Sequence, residues 1–243
     1  MRYLYSFLVL LLVVIPTTAQ DETQVPDKEQ KNKVGLMVTD LINGTTLLSY
    51  ERALGKHISV GLNAGYKGKE GLIGLSGLDT EQLQTGDITY SGAKFIPEFR
   101  YYLNEKGHKM LTGFYFGAYL KFLNYKSDLG GTFINSAGES FNVLYEGKIG
   151  VVSGGLMVGY KLDVSKRFSI DFLIAGPGAG NYNFKLKNII PPPDEFYDAL
   201  NEALEEYSFL DFINADFEFN ENRRSNKLFL PEFRYGITLG YSF

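Results

Sequence analysis

The sequence predicts an all-β protein: an eight-stranded antiparallel up-and-down transmembrane β-barrel with one helix-containing outer loop. Three observations predict it. Apolar and polar residues alternate along eight segments separated by turn signals, and successive side chains of a strand face opposite ways. The closing segment alternates without a break. Phe233, Tyr235, Ile237, Leu239, Tyr241 and Phe243 share one face, and Glu232, Arg234, Gly236, Thr238, Gly240 and Ser242 share the other. Connections two, four and six are short, whereas three, five and seven are long. Small outer-membrane barrels show that asymmetry between periplasmic turns and outer loops.

The N-terminus reads as an address. Arg2, an apolar run over residues 4–15 and the small residues up to Ala19 have the layout of a secretory signal peptide, residues 1–19. That run is short of the ~20 apolar residues a spanning helix needs. Residues 20–32 are polar and aperiodic, a flexible periplasmic leader, and residues 33–243 make the barrel. The chain has no cysteine, so it has neither a disulfide framework nor a thiolate metal site. Its net charge of −4 comes without a basic block, which argues against nucleic acid as a partner. The 19 Phe, 17 Tyr and 27 Gly suit aromatic girdles and tightly curved strands.

The first segment covers residues 33–42. Asn43 and Gly44 follow as a two-residue hairpin turn, because both tolerate positive φ. Residues 45–52 return and residues 53–56 turn. The third segment, 57–67, puts Ile58, Val60, Leu62, Ala64 and Tyr66 on one face. A long connection leads to the fourth, 90–103, and residues 104–108 turn. The fifth, 109–126, sets Met110, Phe114, Phe116, Ala118, Leu120 and Phe122 against Tyr115, Tyr119 and Lys121. Residues 127–139 read as a loop. In the sixth, 141–162, the apolar residues are mostly odd up to Val151 and even from Val152. One extra residue there would cause this, so a β-bulge is expected at Val151 and Val152. The seventh, 167–186, is interrupted by a kink at Gly176-Pro177-Gly178. Residues 187–226 form a long loop before the closing strand. Eight strands place both termini in the periplasm.

Pro97-Glu98-Phe99-Arg100-Tyr101 repeats Pro231-Glu232-Phe233-Arg234-Tyr235, and Ser49-Tyr50-Glu51-Arg52 is a related ending. With the terminal aromatic, these motifs resemble a family of small outer-membrane barrels common in Bacteroidetes-type bacteria. More broadly the chain is similar to the OmpA/OmpX-like eight-stranded superfamily. The resemblance implies a Gram-negative cell envelope, with outer-membrane lipid and lipopolysaccharide as surroundings. It also implies a barrel-insertion machinery that reads Tyr241 and Phe243 as an insertion signal. It implies nothing about activity, since a fold hosts many functions.

An ion facing lipid at mid-depth costs ~2–4 kcal/mol, so the charged face of each segment is expected to line the lumen. The expected lumen set is Glu51, Glu98, Glu146, Asp171 and Glu232 against Lys94, Arg100, Lys121, Lys148 and Arg234, beside Tyr115 and Tyr119. An eight-stranded barrel is just wide enough for side chains to fill. A salt-bridged structural plug is the expectation, with Glu98 and Arg100 meeting Glu232 and Arg234 across the lumen. A catalytic or gating carboxylate cluster is the alternative. His57 and His108 both map to the inner rim, and neither has a second ligand at strand spacing. No catalytic residue, metal or cofactor is expected. Residues 71–77 are Gly-rich but lack the Gly-Lys-Ser/Thr of a phosphate loop.

The last outer loop is unusual. Prolines 191–193 stop the strand, and Asp194 can cap a helix over about residues 194–212. Phe196, Leu200, Leu204 and Tyr207 recur on one helical face. Residues 191–222 hold ten acids and no Lys or Arg. The helix is either a lid on neighbouring loops or a surface for another envelope protein. The function expected is that of a non-enzymatic barrel, with a structural or adhesive role or as a small subunit of an outer-membrane assembly. An outer-leaflet lipid-modifying enzyme and a narrow channel are the alternatives.

Overall fold

In a computed structural model the chain forms one antiparallel sheet that closes into a ring. The structure describes residues 30–69, 71–72, 76–103, 110–190, 192–205, 219–220 and 224–243. The expected signal peptide, most of the leader, the turn with His108, and Tyr207 lie outside the described residues.

The described strands are β1 (Asn32–Met37), β2 (Thr45–Ala53), β3 (Ile58–Lys67), β4 (Leu83–Thr85), β5 (Thr89–Tyr102), β6 (Gly113–Ile134), β7 (Ser140–Asp163), β8 (Phe168–Asn188) and β9 (Ser225–Ser242). One helix, α1 (Phe196–Glu205), precedes β9. Eight strands make the wall, each paired with the next, and β9 returns to pair with β1 from Lys33↔Ser242 to Met37↔Thr238. The short β4 pairs only with the top of β6, above the end of β5. Among the described residues no helix is long and apolar enough to cross a membrane.

The wall is lopsided. β6 has 22 residues and β7 has 24, whereas β1 has 6 and β2 has 9. The expected loop at 127–139 is therefore mostly strand. β6 and β7 stay paired up to Ile134↔Ser140, and Asn135 and Glu139 close the turn. The other side is lower than expected. β1 stops at Met37, and Thr39–Asn43 form a 3-10 turn in place of the Asn43-Gly44 hairpin. Only Gly44 is left-handed there, at φ 80°. Asn43 instead accepts hydrogen bonds from the Thr45 backbone (3.1 Å) and hydroxyl (2.6 Å) through its carboxamide oxygen.

No bulge lies at Val151 and Val152: β6 and β7 pair without a shift along their whole length. The odd residues of β7 point inward throughout. The apparent phase change is a change in which face is apolar. The extra residue is in β8, where Leu173 opposes Gly236 but Gly176 opposes Arg234. The same shift separates Val158↔Ala175 from Gly159↔Leu173 on the other side. The strand runs on through Gly176, Pro177 and Gly178, so the expected interruption is a bulge just before them.

Candidate functional site

Two interiors sit one above the other. In the lower one, Arg100 on β5 is the hub. Its guanidinium reaches Asp171 at 2.5 Å, Glu98 at 2.7 Å and Glu51 at 3.5 Å. Lys161 on β7 pairs with Glu51 and approaches Asp171 at 3.6 Å. Arg234 reaches across the lumen to Glu98 at 2.9 Å. Glu232 joins Lys121 and accepts from the Tyr182 hydroxyl at 3.2 Å. The sequence groups Glu232 with Glu98 and Arg100; the structure gives it separate partners, one layer higher.

Neutral groups take up the remaining carboxylate lone pairs. The hydroxyls of Ser59 (2.6 Å) and Tyr102 (2.7 Å) donate to Glu51. Tyr115 donates to Asp171 at 2.9 Å, and Asn63 donates to Glu98 at 2.7 Å. The Tyr115 ring also lies 4.6 Å under Arg100, and Tyr119 lies 4.4 Å under Arg234. Glycine makes room for both rings. A Cβ at Gly159 would stand 2.3 Å from the Tyr115 ring, and one at Gly178 would stand 2.4 Å from the Tyr119 hydroxyl. The free space among these groups is 20 Å³, room for about one water. Buried charges are stable only when paired and hydrogen-bonded, and this set meets that condition except at Glu232 Oε1 and Arg234 Nη1. Each carboxylate is committed to a cation, so none is left as a free base.

Sequence reasoning missed Lys161, which is 1% exposed, together with Lys33, Ser59, Asn63 and Tyr102. The signal was there: Lys161 stands between Tyr160 and Leu162, so alternation alone turns it inward. The expected bulge does not hide it, since that reading also leaves the odd residues after Val151 inward. What the expected bulge misplaced is Glu146 and Lys148. Both are even-numbered on β7 and point outward, where they pair with each other at 3.1 Å. Lys94 pairs with Asp40 of the 3-10 turn. At the lower rim, the His57 Nδ1–H donates to the Tyr102 carbonyl at 3.0 Å and the ring stacks on Tyr101. Among the described residues no group of His and carboxylates is arranged to hold a metal ion. The terminus closes the ring: Phe243 and Asn32 exchange backbone hydrogen bonds, and Arg167 donates to the Tyr241 hydroxyl at 2.8 Å.

The upper interior is apolar. Phe133 of β6, Val143 and Tyr145 of β7, and Leu83 of β4 surround α1. Phe196 stacks on Tyr145 with ring centres 4.7 Å apart and meets Phe133 edge-on at 5.7 Å. Leu200 and Ala203 are buried below it, with Leu204 at the margin. Tyr197 and Ala199 are buried as well, so α1 hides more than one stripe. Tyr197 is pinned by the Asn188 amide at 2.8 Å. Outside, Glu195 accepts from the backbone and hydroxyl of Ser136 at 3.1 and 2.6 Å. Those two bonds hold its carboxyl below the ordinary value of 4.5.

A family model described as a protein of unknown function, DUF3575, matches residues 7–191. The chain belongs to this family. The DUF3575 match takes in the wall from β1 to β8 and stops before α1 and β9. No curated protein and no solved structure matches the sequence.

Proposed function

We propose that this DUF3575 protein is a non-enzymatic outer-membrane β-barrel of the OmpA/OmpX-like kind, sealed by its charge network, with a structural or adhesive role at the cell surface. One observation carries the reading: the outward face of the ring is a continuous apolar belt. Leu48, Val60, Phe99, Phe116, Leu156, Ile174, Phe233 and Leu239 are exposed on it, drawn from seven strands. A soluble protein rarely exposes more than a few hundred Å² of contiguous apolar surface. On β6 the belt runs from Phe114 to Phe122. Eight rises of ~3.4 Å, tilted ~40°, stand roughly 21 Å tall, close to the ~25 Å apolar band of such barrels.

The lumen supports the structural role over the channel. Its charges neutralise one another and leave space for about one water. The apolar packing of α1 supports a lid over a free binding helix. The signal peptide, the periplasmic termini, the lipopolysaccharide surroundings and the reading of Tyr241 and Phe243 by the insertion machinery belong to the same proposal. Expression in a Gram-negative host, followed by outer-membrane isolation, tests it. The protein should fractionate with outer membranes, migrate differently when heated, and carry no steady current in planar bilayers. A detergent-free soluble monomer would reject the membrane reading; large single-channel currents would reject the sealed lumen.

A further inference from the structure

The lopsided wall leaves a gap. β1 covers β9 only between Thr238 and Ser242. One step higher, the Val38 backbone donates to the Ile237 carbonyl at 2.8 Å, and the Thr39 hydroxyl accepts from the Ile237 backbone at 3.3 Å. Above that, among the described residues, no strand pairs with β9 on this side. A cavity of 320 Å³ lies at this level, above the charge network. Lys94, Lys121, Arg234 and Asp40 line it from inside, whereas Phe233 and Tyr235 belong to the outward face of β9. The cavity therefore reaches the wall at β9, beside the 3-10 turn.

Among the described residues that line it, the one buried side-chain atom without a partner is a donor, and the Glu232 carboxylate that pairs with Lys121 also keeps an unpartnered Oε1. Arg234 is nine-tenths buried, and its Nη1 has no partner. Lys94 and Lys121 each carry three N–H donors, and each meets a single carboxylate, Asp40 and Glu232 respectively. Donors on cations call for an acceptor-only, anionic group. Phe233 and Tyr235 are 61% and 70% exposed beside them, so the mouth is aromatic. A volume of 320 Å³ is at the lower end for a ligand site, enough for a headgroup and the first methylenes.

We propose that this opening is a lateral entrance for a single-chain anionic amphiphile, whose carboxylate or phosphate head sits at Arg234 and Lys94 while its chain leaves the wall past Phe233 and Tyr235. The path of the chain rests on the membrane reading; the head site does not. The chain has no Trp, so Tyr235→Trp in the full-length mature barrel supplies one fluorophore at the mouth. In neutral detergent, ω-bromododecanoate and ω-bromododecyl phosphate should quench it saturably, about tenfold more tightly than ω-bromododecanol. The tighter of the two acids identifies the head. Adding Arg234→Gln should weaken the acids about tenfold and leave the alcohol unchanged. If that variant loses its heat-modifiable band, Lys94→Gln decides in its place. Equal affinity for acid and alcohol, quenching that never saturates, or indifference to the folded variant would overturn the proposal. Outer-membrane fractionation fails or succeeds separately, so the two readings can fall apart from each other.

Discussion

Between the lower rim and residue 123 the barrel is apolar outside and charged inside; above it, the same strands are apolar inside and polar outside. β6 shows the change within one element. Phe116, Leu120 and Phe122 face out below, and Asn124, Lys126 and Asp128 face out above. Tyr119 and Lys121 face in below, and Leu129 and Phe133 face in above. The pairing with β7 passes through this boundary with no shift. Backbone geometry is the same in both regions. What differs is the medium each face meets, and side-chain transfer energies follow the medium. The lower part needs hydrogen bonds and ion pairs to hold its centre, and the upper part needs shape.

The largest effect should come from breaking the charged interior. Arg100→Met would leave Glu51 and Asp171 sharing Lys161, and Glu98 with Arg234 alone. Removing one partner of a buried ion pair costs ~3–5 kcal/mol. The whole barrel should lose that stability, read as a lower denaturant midpoint for the heat-modifiable band. An unchanged midpoint would mean that water, not protein, satisfies these carboxylates.

The apolar interior should respond differently. Leu200→Ala removes a buried side chain from α1 and should cost ~2–5 kcal/mol within the upper cluster. The lower barrel shares none of those contacts, so its midpoint should hold while hydrogen exchange and protease cleavage rise near α1. A fall in the global midpoint equal to that of Arg100→Met would erase the distinction between the two regions.

This difference also explains what the sequence disclosed. The eight wall segments, their order and the inward set Glu51, Glu98, Arg100, Lys121, Asp171, Glu232 and Arg234 were legible, because alternation fixes which residues share a face. Where along a strand the apolar face changes sides was not legible. The segment 141–162 turns its apolar residues inward at Val143 and outward at Val152, and sequence alone reads that as a bulge. The real bulge at residues 174–175 lies where Ile174 and Ala175 are both apolar and leave no mark in the pattern. The helix at Phe196 was legible from its period, but its partners Leu83, Phe133 and Tyr145 are distant in the chain. The lateral cavity depends on β1 being short, which nothing local in residues 33–42 announces.

A finer comparison tests whether the repeated motif acts as one unit. Glu98 belongs to the first copy and Arg234 to the second, and they meet at 2.9 Å across the lumen. A double-mutant cycle with Glu98→Gln and Arg234→Gln should return a coupling of ~0.5–3 kcal/mol. The matching cycle between Arg100 and Glu232 should be nearly additive, because Arg100 bonds Glu51, Glu98 and Asp171 and Glu232 bonds Lys121. Coupling of the same size in both cycles would mean that the charges respond as one continuous field.

The smallest effect concerns the outside of the upper region. Glu195 is exposed, and its two bonds from Ser136 favour the ionised carboxylate. Its folded value therefore lies below the unfolded 4.5. The tie should contribute fully above pH 4.5 and fade as pH falls through the lower folded value. Protection of the α1 amides from hydrogen exchange, referred to the lower barrel in the same sample, should show that step. Ser136→Ala removes the hydroxyl bond and keeps the backbone one, so it should shrink the step without touching Phe196 or Leu200, which lie inside. If the step keeps its full size in Ser136→Ala, another acid of the loop carries the pH response, and the link between the β6–β7 turn and the helix is only a contact.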